Sequence, residues 1–240
     1  MNEFEVEVKT PDGDMWSFVT YPEGAGPFPA VIVYMDVIGI RDELQNFARR
    51  LAEEGYFAVL PDLYYREGQI RFDSSEGIEK MFAIGGALSV DMVMRDTGGI
   101  LDYLGNNPLV SSSTGSVGYC MSGQFVMAAA GTFPDRIRAA ASLHGTRLVT
   151  EAPNSPHKLA ACIKGEVYLG FADEDPYIED NVIPDISKAL DDAGVPYTVE
   201  THPGTHHAYS FPQMPSYAEE AAEKDWAAMF AMFERQLKQS

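Results

Sequence analysis

The chain has 240 residues, of which 45% are hydrophobic and 22% are charged. This composition is close to that of an average globular protein and allows a sizeable buried core. The 36 acidic and 17 basic residues give a net charge of −19, which disfavours nucleic acid and anionic membranes as partners. The sequence contains no long apolar run, and its first nine residues are acidic and alternating. We therefore expect a cytoplasmic protein without a secretory signal.

The two cysteines, Cys120 and Cys162, are too few for a disulfide framework or a four-thiolate zinc site. Both are compatible with a reducing compartment. Any cysteine chemistry must therefore depend on a single thiol.

The chain begins with a pattern typical of an antiparallel hairpin. Phe4, Val6 and Val8 alternate with charged residues, and a turn over residues 11–14 leads into a second alternating stretch, 15–20. We expect this hairpin at one edge of a sheet.

Short apolar segments then alternate with longer segments of helical periodicity. The short segments predict strands that are buried on both faces, and the long ones predict crossover helices. Gly55 and Gly194 follow two of these helices at positions typical of helix stops. The predicted strands cover residues 30–35, 57–60, 116–120, 139–143, 167–171 and 197–201, and the predicted helices cover 42–54, 90–106, 123–131, 179–193 and 217–237.

Together these elements predict one α/β domain over residues 1–240. It should have a mostly parallel central sheet, an N-terminal antiparallel edge hairpin and helices on both faces. The sequence shows neither an internal repeat nor a linker that would divide it. Residues 64–86 have weaker periodicity and several charges, so we expect an excursion that covers a pocket at the strand ends.

The most informative segment joins a predicted strand to a predicted helix at Cys120. It resembles the nucleophile elbow of the α/β hydrolases, with Cys in the usual place of Ser. Gly118, Ser122 and Gly123 would leave room for close backbone contacts, and the helix N-terminus would favour a thiolate and a developing oxyanion. Cys120 is therefore the predicted nucleophile. Cys162 lies in an apolar stretch and is predicted to be a core residue.

A general base and an orienting carboxylate should follow the nucleophile, with the acid first and the histidine last. Asp173 comes shortly after the strand predicted at 167–171, and Asp175 is the alternative. The alternative to a catalytic role is that Asp173 and Asp175 simply belong to a solvated acidic loop. Three histidines, His202, His206 and His207, cluster after the last predicted strand. Their spacing matches zinc sites poorly, so we expect a base there rather than a metal site.

Two motifs in combination resemble the dienelactone hydrolase family. Residues 118–123 (GYCMSG) resemble the family elbow Gly-x-Cys-x-Gly-Gly, with Ser122 in place of the first paired glycine. Residues 204–209 (GTHHAY) resemble the family segment Gly-Ala-x-His-Gly-Phe. The resemblance extends from residue 30 to the C-terminal helix and implies the α/β-hydrolase fold. It also assigns the base to His207 rather than His206, and so implies the triad of Cys120, Asp173 and His207.

The resemblance implies further residues around the thiol. The segment after the first core strand resembles a family loop that places a carboxylate beside the thiol, and Asp36 takes that position where the family usually has Glu. Val37 and Met121 would supply the backbone N–H groups of an oxyanion hole. Tyr119, directly before Cys120, is a candidate for substrate contact.

Family enzymes that open the dienelactone ring bind its carboxylate through arginine, one of which follows the catalytic histidine. The corresponding residues 208–211 (AYSF) contain none. Arg41, Arg66 and Arg71 are candidate replacements, although each is equally compatible with a solvated surface charge. The substrate is therefore not inherited with the fold.

These features predict a hydrolase of small-molecule esters or lactones that forms an acyl-thioester on cysteine and needs neither a metal nor an organic cofactor. A non-catalytic α/β module that binds a ligand is the main alternative from another class. A thiol sensor is a third, but the sequence has no CxxC pair and no evident resolving cysteine.

Overall fold

The computed structural model describes residues 1–73 and 77–238. They form two compact units, residues 1–114 and residues 115–240. Each unit combines strands with helices that pack against them.

The first unit contains a four-stranded arrangement in the order β1-β2-β4-β3. The pairs β1–β2 and β2–β4 are antiparallel, and β3–β4 is parallel. β4 is buried at all five positions, as its apolar sequence predicts. The elements are β1 (Asn2–Thr10), β2 (Gly13–Tyr21), β3 (Phe28–Tyr34), α1 (Asp42–Glu53), β4 (Phe57–Pro61), α2 (Glu79–Ala87) and α3 (Val90–Gly105).

The second unit contains the last five residues of β5 together with β6, β7 and β8, of which β6–β7 and β7–β8 pair in parallel. α4 packs against β6, and α7 packs against β6 and β7. Gly194 ends α6 in the left-handed region (φ 67°), as predicted for a helix stop. The elements are β5 (Val110–Tyr119), α4 (Gly123–Thr132), β6 (Ile137–Leu143), α5 (Pro156–Leu159), β7 (Glu166–Glu174), α6 (Val182–Ala193), β8 (Tyr197–His206) and α7 (Glu219–Phe233).

The predicted α/β class, with parallel strands and an antiparallel N-terminal hairpin, is confirmed. Several strands are longer than predicted, because their ends carry polar residues that the apolar pattern does not mark. β7 continues to Glu174 and β8 continues to His206. Among the described residues, none of the helices has both the length and the apolarity needed to span a lipid bilayer.

The segment 64–86, predicted as a pocket-covering excursion, includes residues 74–76, which lie outside the described residues. Its described part forms a 3₁₀ turn (Tyr65–Glu67) and most of α2. This part lines a cavity of about 280 Å³ in the first unit, together with Leu63, Leu88 and Met92. The segment therefore forms a pocket wall, and its action as a cover stays a prediction.

A fully buried carboxylate, Asp225 of α7, joins three parts of the second unit. The hydroxyl of Tyr168 on β7 donates to Asp225 Oδ1 at 2.7 Å, and Nε2 of His202 on β8 lies 2.6 Å from the same oxygen. The hydroxyl of Tyr209 donates to Asp225 Oδ2 at 2.5 Å. Burial and the negative charge of Asp225 raise the pKa of both tyrosines, which keeps them protonated as donors. Asp225 thus links α7 to β7, β8 and the loop after β8.

We predict that Asp225→Ala lowers the free energy of unfolding by about 3–5 kcal/mol, because it leaves three buried polar groups without their acceptor. Urea denaturation followed by circular dichroism measures the change. Asp192→Ala is the matched control, since Asp192 is an exposed helical acid whose partner is the exposed Lys188. Equal unfolding midpoints for the two variants would contradict the stabilising role of Asp225.

Candidate active site

The site begins where β5 ends and the chain turns into α4. Cys120 opens a short 3₁₀ turn (Cys120–Ser122), and α4 starts at the next residue. Cys120 is half-buried, and its carbonyl accepts a hydrogen bond from the Thr146 N–H at 2.9 Å. This strand, sharp turn and helix confirm the elbow geometry predicted from the sequence.

Small residues make this turn possible. A Cβ at Gly118 would lie 2.5 Å from Val126 Cγ2 and 2.7 Å from the carbonyl oxygen of Ser122. A Cβ at Gly123 would lie 2.5 Å from the Ser142 hydroxyl oxygen. Neither space accommodates a side chain, so the predicted need for small neighbours is confirmed.

Two non-glycine residues of the site lie in the left-handed backbone region. Cys120 has φ 54°, and Ala208, directly after His207, has φ 68°. The left-handed conformation costs roughly 1–2 kcal/mol in a residue with a Cβ and is characteristic of functional sites. At position 208 the family motif has glycine, so Ala208 adopts a conformation for which glycine is better suited.

His207 and Asp175 meet because two parallel strands end side by side. In the β7–β8 ladder Glu174 is paired with His206, so the next residue of each strand leaves the sheet at the same edge. His207 Nδ1 lies 2.7 Å from Asp175 Oδ2. The side chains are 14% and 2% exposed, respectively. The pair is therefore largely shielded from water.

The carboxylate at His207 is Asp175, the alternative that the sequence left open, and not Asp173. The prediction of Asp173 assumed that the strand ends at residue 171, but β7 continues to Glu174. Asp173 is consequently still part of the strand, where it is exposed and accepts a hydrogen bond from the Gly204 N–H at 3.1 Å. Because β7 extends to Glu174, the first acid of the loop after the strand is Asp175 rather than Asp173.

The surroundings of His207 favour its protonated form. Burial alone would lower the pKa of the imidazole, but the hydrogen bond to Asp175 and the interactions with the Cys120 side chain and the Asp175 charge raise it to about 9. Within residues 1–73 and 77–238, the buried Nε2 has no hydrogen-bond partner of normal geometry. Since Asp175 occupies Nδ1, Nε2 is the ring nitrogen that remains available.

The other histidines occupy separate environments. His206 is exposed, with Nδ1 3.6 Å from Glu174. His202 is buried against Asp225. Strict alternation would put His202 and His206 on the same face of β8, but the β7–β8 ladder is irregular between these two positions. His207 lies beyond the strand end, so the three histidines of the sequence cluster separate in space.

His144, which directly follows a core strand and is predicted from the sequence to be structural or pocket-lining rather than catalytic, is a neighbour of the site. It is fully buried, its Nε2 lies 2.8 Å from the Ser210 hydroxyl, and its ring centroid is 5.0 Å from that of His207. Burial and the charge of His207 lower the pKa of His144 well below its usual value. A neutral imidazole therefore lies beside the charged one and does not compete for the Asp175 carboxylate. The only sequence signal for this position was its location at the end of a core strand.

Asp225 was also missed, although the sequence carries a signal for it. It lies among Ala222, Trp226 and Met229 on the apolar face of α7, where a carboxylate is unusual. An acid within an apolar stripe indicates a buried polar partner, here the three donors on β7, β8 and the following loop.

Asp36 and Val37 lie in the first unit. Asp36 is 3% exposed, and both of its carboxylate oxygens accept hydrogen bonds from Arg41, at 2.7 and 3.0 Å. Arg41 also donates to the buried Glu43. Val37 is buried, and its carbonyl accepts from the Tyr64 hydroxyl. The family-derived roles of Asp36 and Val37 at the thiol stay predictions.

The three candidate arginines are all paired with acids of the first unit. Arg41 binds Asp36 and Glu43 as described, Arg66 binds the buried Asp96, and Arg71 binds the buried Asp62. A guanidinium that already neutralises a buried carboxylate is costly to redirect to a substrate. Their predicted role in substrate binding is therefore disfavoured.

Two further sequence predictions need correction. Tyr119 does not face a substrate, because it is fully buried and its ring packs 5.2 Å from that of Phe211. Cys162 is exposed rather than part of the core. It lies in a short 3₁₀ turn after α5 whose only buried residue is Ala160, so the apolar composition of that stretch misled the prediction.

Residues 15–237 match the model of the dienelactone hydrolase family. The chain belongs to the dienelactone hydrolase family. A relative from Synechocystis sp., "Putative carboxymethylenebutenolidase", is 28% identical over 227 residues, which cover 92% of each chain. A similarly named relative from Methylorubrum extorquens is 27% identical over 92% of this chain and 77% of its own. The sequence-based resemblance to the dienelactone hydrolase family is thus confirmed.

Solved structures support the same fold assignment. The "Putative Dienelactone Hydrolase" of Klebsiella pneumoniae superimposes with a TM-score of 0.88, at 25% identity and 98% coverage of both chains. The dienelactone hydrolase of Anabaena variabilis gives a TM-score of 0.70 at 18% identity, again with 98% coverage of both. The family match includes residues of both compact units.

We predict that Asp175→Asn lowers the pKa of His207 from about 9, because the imidazolium loses its hydrogen-bonded negative charge while its burial persists. Asp173→Asn is the matched control and should leave the value near that of the wild type. Titration of the histidine ring signals by NMR measures both. A larger change in Asp173→Asn than in Asp175→Asn would contradict the assignment of the pair.

Proposed function

We propose that the chain hydrolyses small-molecule carboxylic esters or lactones by covalent catalysis at Cys120, with His207 as acid and base and Asp175 as the orienting carboxylate. One arrangement carries this proposal: a half-buried thiol lies at a left-handed elbow and raises the pKa of a largely buried imidazole, whose Nδ1 is 2.7 Å from a buried carboxylate. A nucleophile, a base and an orienting group in this order are the parts that acyl transfer requires. The family membership and the names of the relatives support the same substrate class.

The acylation step uses the charge distribution of the resting site. We infer that the reacting form of the site is an ion pair, in which an imidazolium at His207 stabilises a thiolate at Cys120. The sulfur attacks the carbonyl carbon, and the carbonyl electron pair moves onto oxygen. When the tetrahedral intermediate collapses, the bond to the leaving oxygen breaks and His207 Nε2 donates its proton to that oxygen. In a lactone the released alcohol remains attached to the acyl group.

The oxyanion requires donors close to the nucleophile. The N–H of Met121 belongs to the first residue after Cys120, in the turn that leads into α4, where free N–H groups and the helix dipole favour negative charge. One such donor is worth roughly 2.7–4 kcal/mol of transition-state stabilisation. The roles that the family resemblance implies for Val37 as a second donor and for Asp36 as an acid stay predictions.

Deacylation needs His207 as a base, although its pKa in the free protein is about 9. Formation of the thioester removes the thiolate charge, which is one of the causes that raise this pKa. The pKa of His207 therefore falls in the acyl-enzyme, and the neutral imidazole takes a proton from water as the water attacks the thioester. The thiolate then leaves, and the starting charge distribution returns.

We predict that an activated acetate ester forms an acetyl adduct on Cys120 that intact-protein and peptide mass spectrometry detect after rapid acid quench. Cys120→Ala should abolish the adduct and lower turnover about 10³-fold or more. Cys162→Ser is the matched control, because it removes the exposed thiol and should leave both the adduct and the turnover unchanged. Ester turnover that survives in Cys120→Ala would exclude Cys120 as nucleophile and leave a non-catalytic or sensing role for its thiol.

We predict a strong difference between two neighbouring histidines. His207→Gln should lower kcat/KM about 10³-fold, because it removes the group that moves every proton in the reaction. His206→Gln should keep most of the activity, since His206 is exposed and 3.6 Å from the exposed Glu174. Steady-state assays of both variants measure kcat/KM. Equal losses of kcat/KM in the two variants would show that the base is not His207.

A further inference from the structure

Tyr177 combines two properties that rarely occur together. Its side chain is 55% exposed, which makes it the most exposed large apolar or aromatic residue among those described. Its ring nevertheless packs edge-on against the largely buried imidazole of His207, with the ring centroids 4.7 Å apart and the planes at 69°. One part of the Tyr177 ring is thus held by His207, and another part faces solvent.

The backbone at Tyr177 is fixed by the same carboxylate that orients His207. The Tyr177 N–H donates to Asp175 Oδ1 at 3.0 Å, while Asp175 Oδ2 accepts from His207. The N–H of Ile178 donates to the Asp175 carbonyl at 3.2 Å, which closes a tight turn. Pro176 restricts the backbone between them. The aromatic ring therefore has a defined position relative to the reacting imidazole.

The chemistry of acylation defines what must lie next to this ring. His207 donates its proton to the leaving oxygen, so that oxygen comes within hydrogen-bond distance of the imidazole. The substituent on the leaving oxygen then occupies space a few ångströms from the imidazole ring. The ring of Tyr177, 4.7 Å from that of His207, is the exposed aromatic group that we infer to border that space. The acyl chain extends from the carbonyl carbon on the side away from the leaving oxygen.

We propose that Tyr177 determines specificity for the alcohol portion of the ester and favours aryl leaving groups, which pack against its exposed face. This inference rests on the proposed function and adds a substrate preference to it. A flat aromatic leaving group gains both apolar burial and ring–ring contact with a tyrosine. A compact alkyl group gains little ring–ring contact. The phenol need not take part in proton transfer.

The test uses two acetates that leave readily and differ in shape, phenyl acetate and 2,2,2-trifluoroethyl acetate. Both give the same acetyl-enzyme, so deacylation is identical and the ratio of their kcat/KM values reports only on acylation. We expect Tyr177→Leu to lower this ratio, phenyl over trifluoroethyl, about 3- to 10-fold. Tyr177→Phe should restore it towards the wild-type ratio, because the ring is retained.

Phe4→Leu serves as a control, since Phe4 is an exposed aromatic residue of β1 that contacts Tyr21, and it should leave the ratio unchanged. If Tyr177→Leu lowers kcat/KM equally for both esters, Tyr177 only orients His207, and the specificity proposal is overturned. If kcat/KM changes for neither ester, the specificity proposal is overturned as well.

The Cys120→Ala variant separates this result from the proposed function. If turnover is lost in Cys120→Ala, the proposed function stands whatever the ratio shows. If turnover persists in Cys120→Ala, both the proposed function and the specificity proposal are overturned.

Discussion

The candidate site depends on the register of two parallel strands. Because Glu174 is paired with His206, the residues that follow, Asp175 and His207, leave the sheet together and form a hydrogen bond of 2.7 Å. A shift of one residue in either strand would separate them, since successive side chains point to opposite faces. The ladder between β7 and β8 thus holds the acid and the base in a geometry that two independent loops would not maintain.

Asp225 extends this constraint into the core. It binds Tyr168 on β7, His202 on β8 and Tyr209 in the loop two residues beyond His207. The strands that carry the site are therefore fixed to each other by backbone pairing and to α7 by one buried carboxylate. A fully satisfied buried network of this kind gives a well-defined local structure.

The electrostatics of the site follow from this geometry. Asp175 and Cys120 raise the pKa of His207 to about 9, while burial keeps His144 neutral beside it. In the proposed mechanism, acylation of Cys120 removes one of the interactions that raise the pKa of His207. The same proposal therefore lets His207 act first as an acid and afterwards as a base.

The sequence by itself determined the α/β class, the elbow at Cys120 and the family, because apolar periodicity and small residues around a turn are local patterns. It did not distinguish Asp173 from Asp175, since that choice depends on how far β7 remains paired to β8. The exposure of Cys162 and the burial of Tyr119 likewise depend on which elements cover them. Tertiary structure decided these points, because strand pairing and burial arise from contacts between residues distant in sequence.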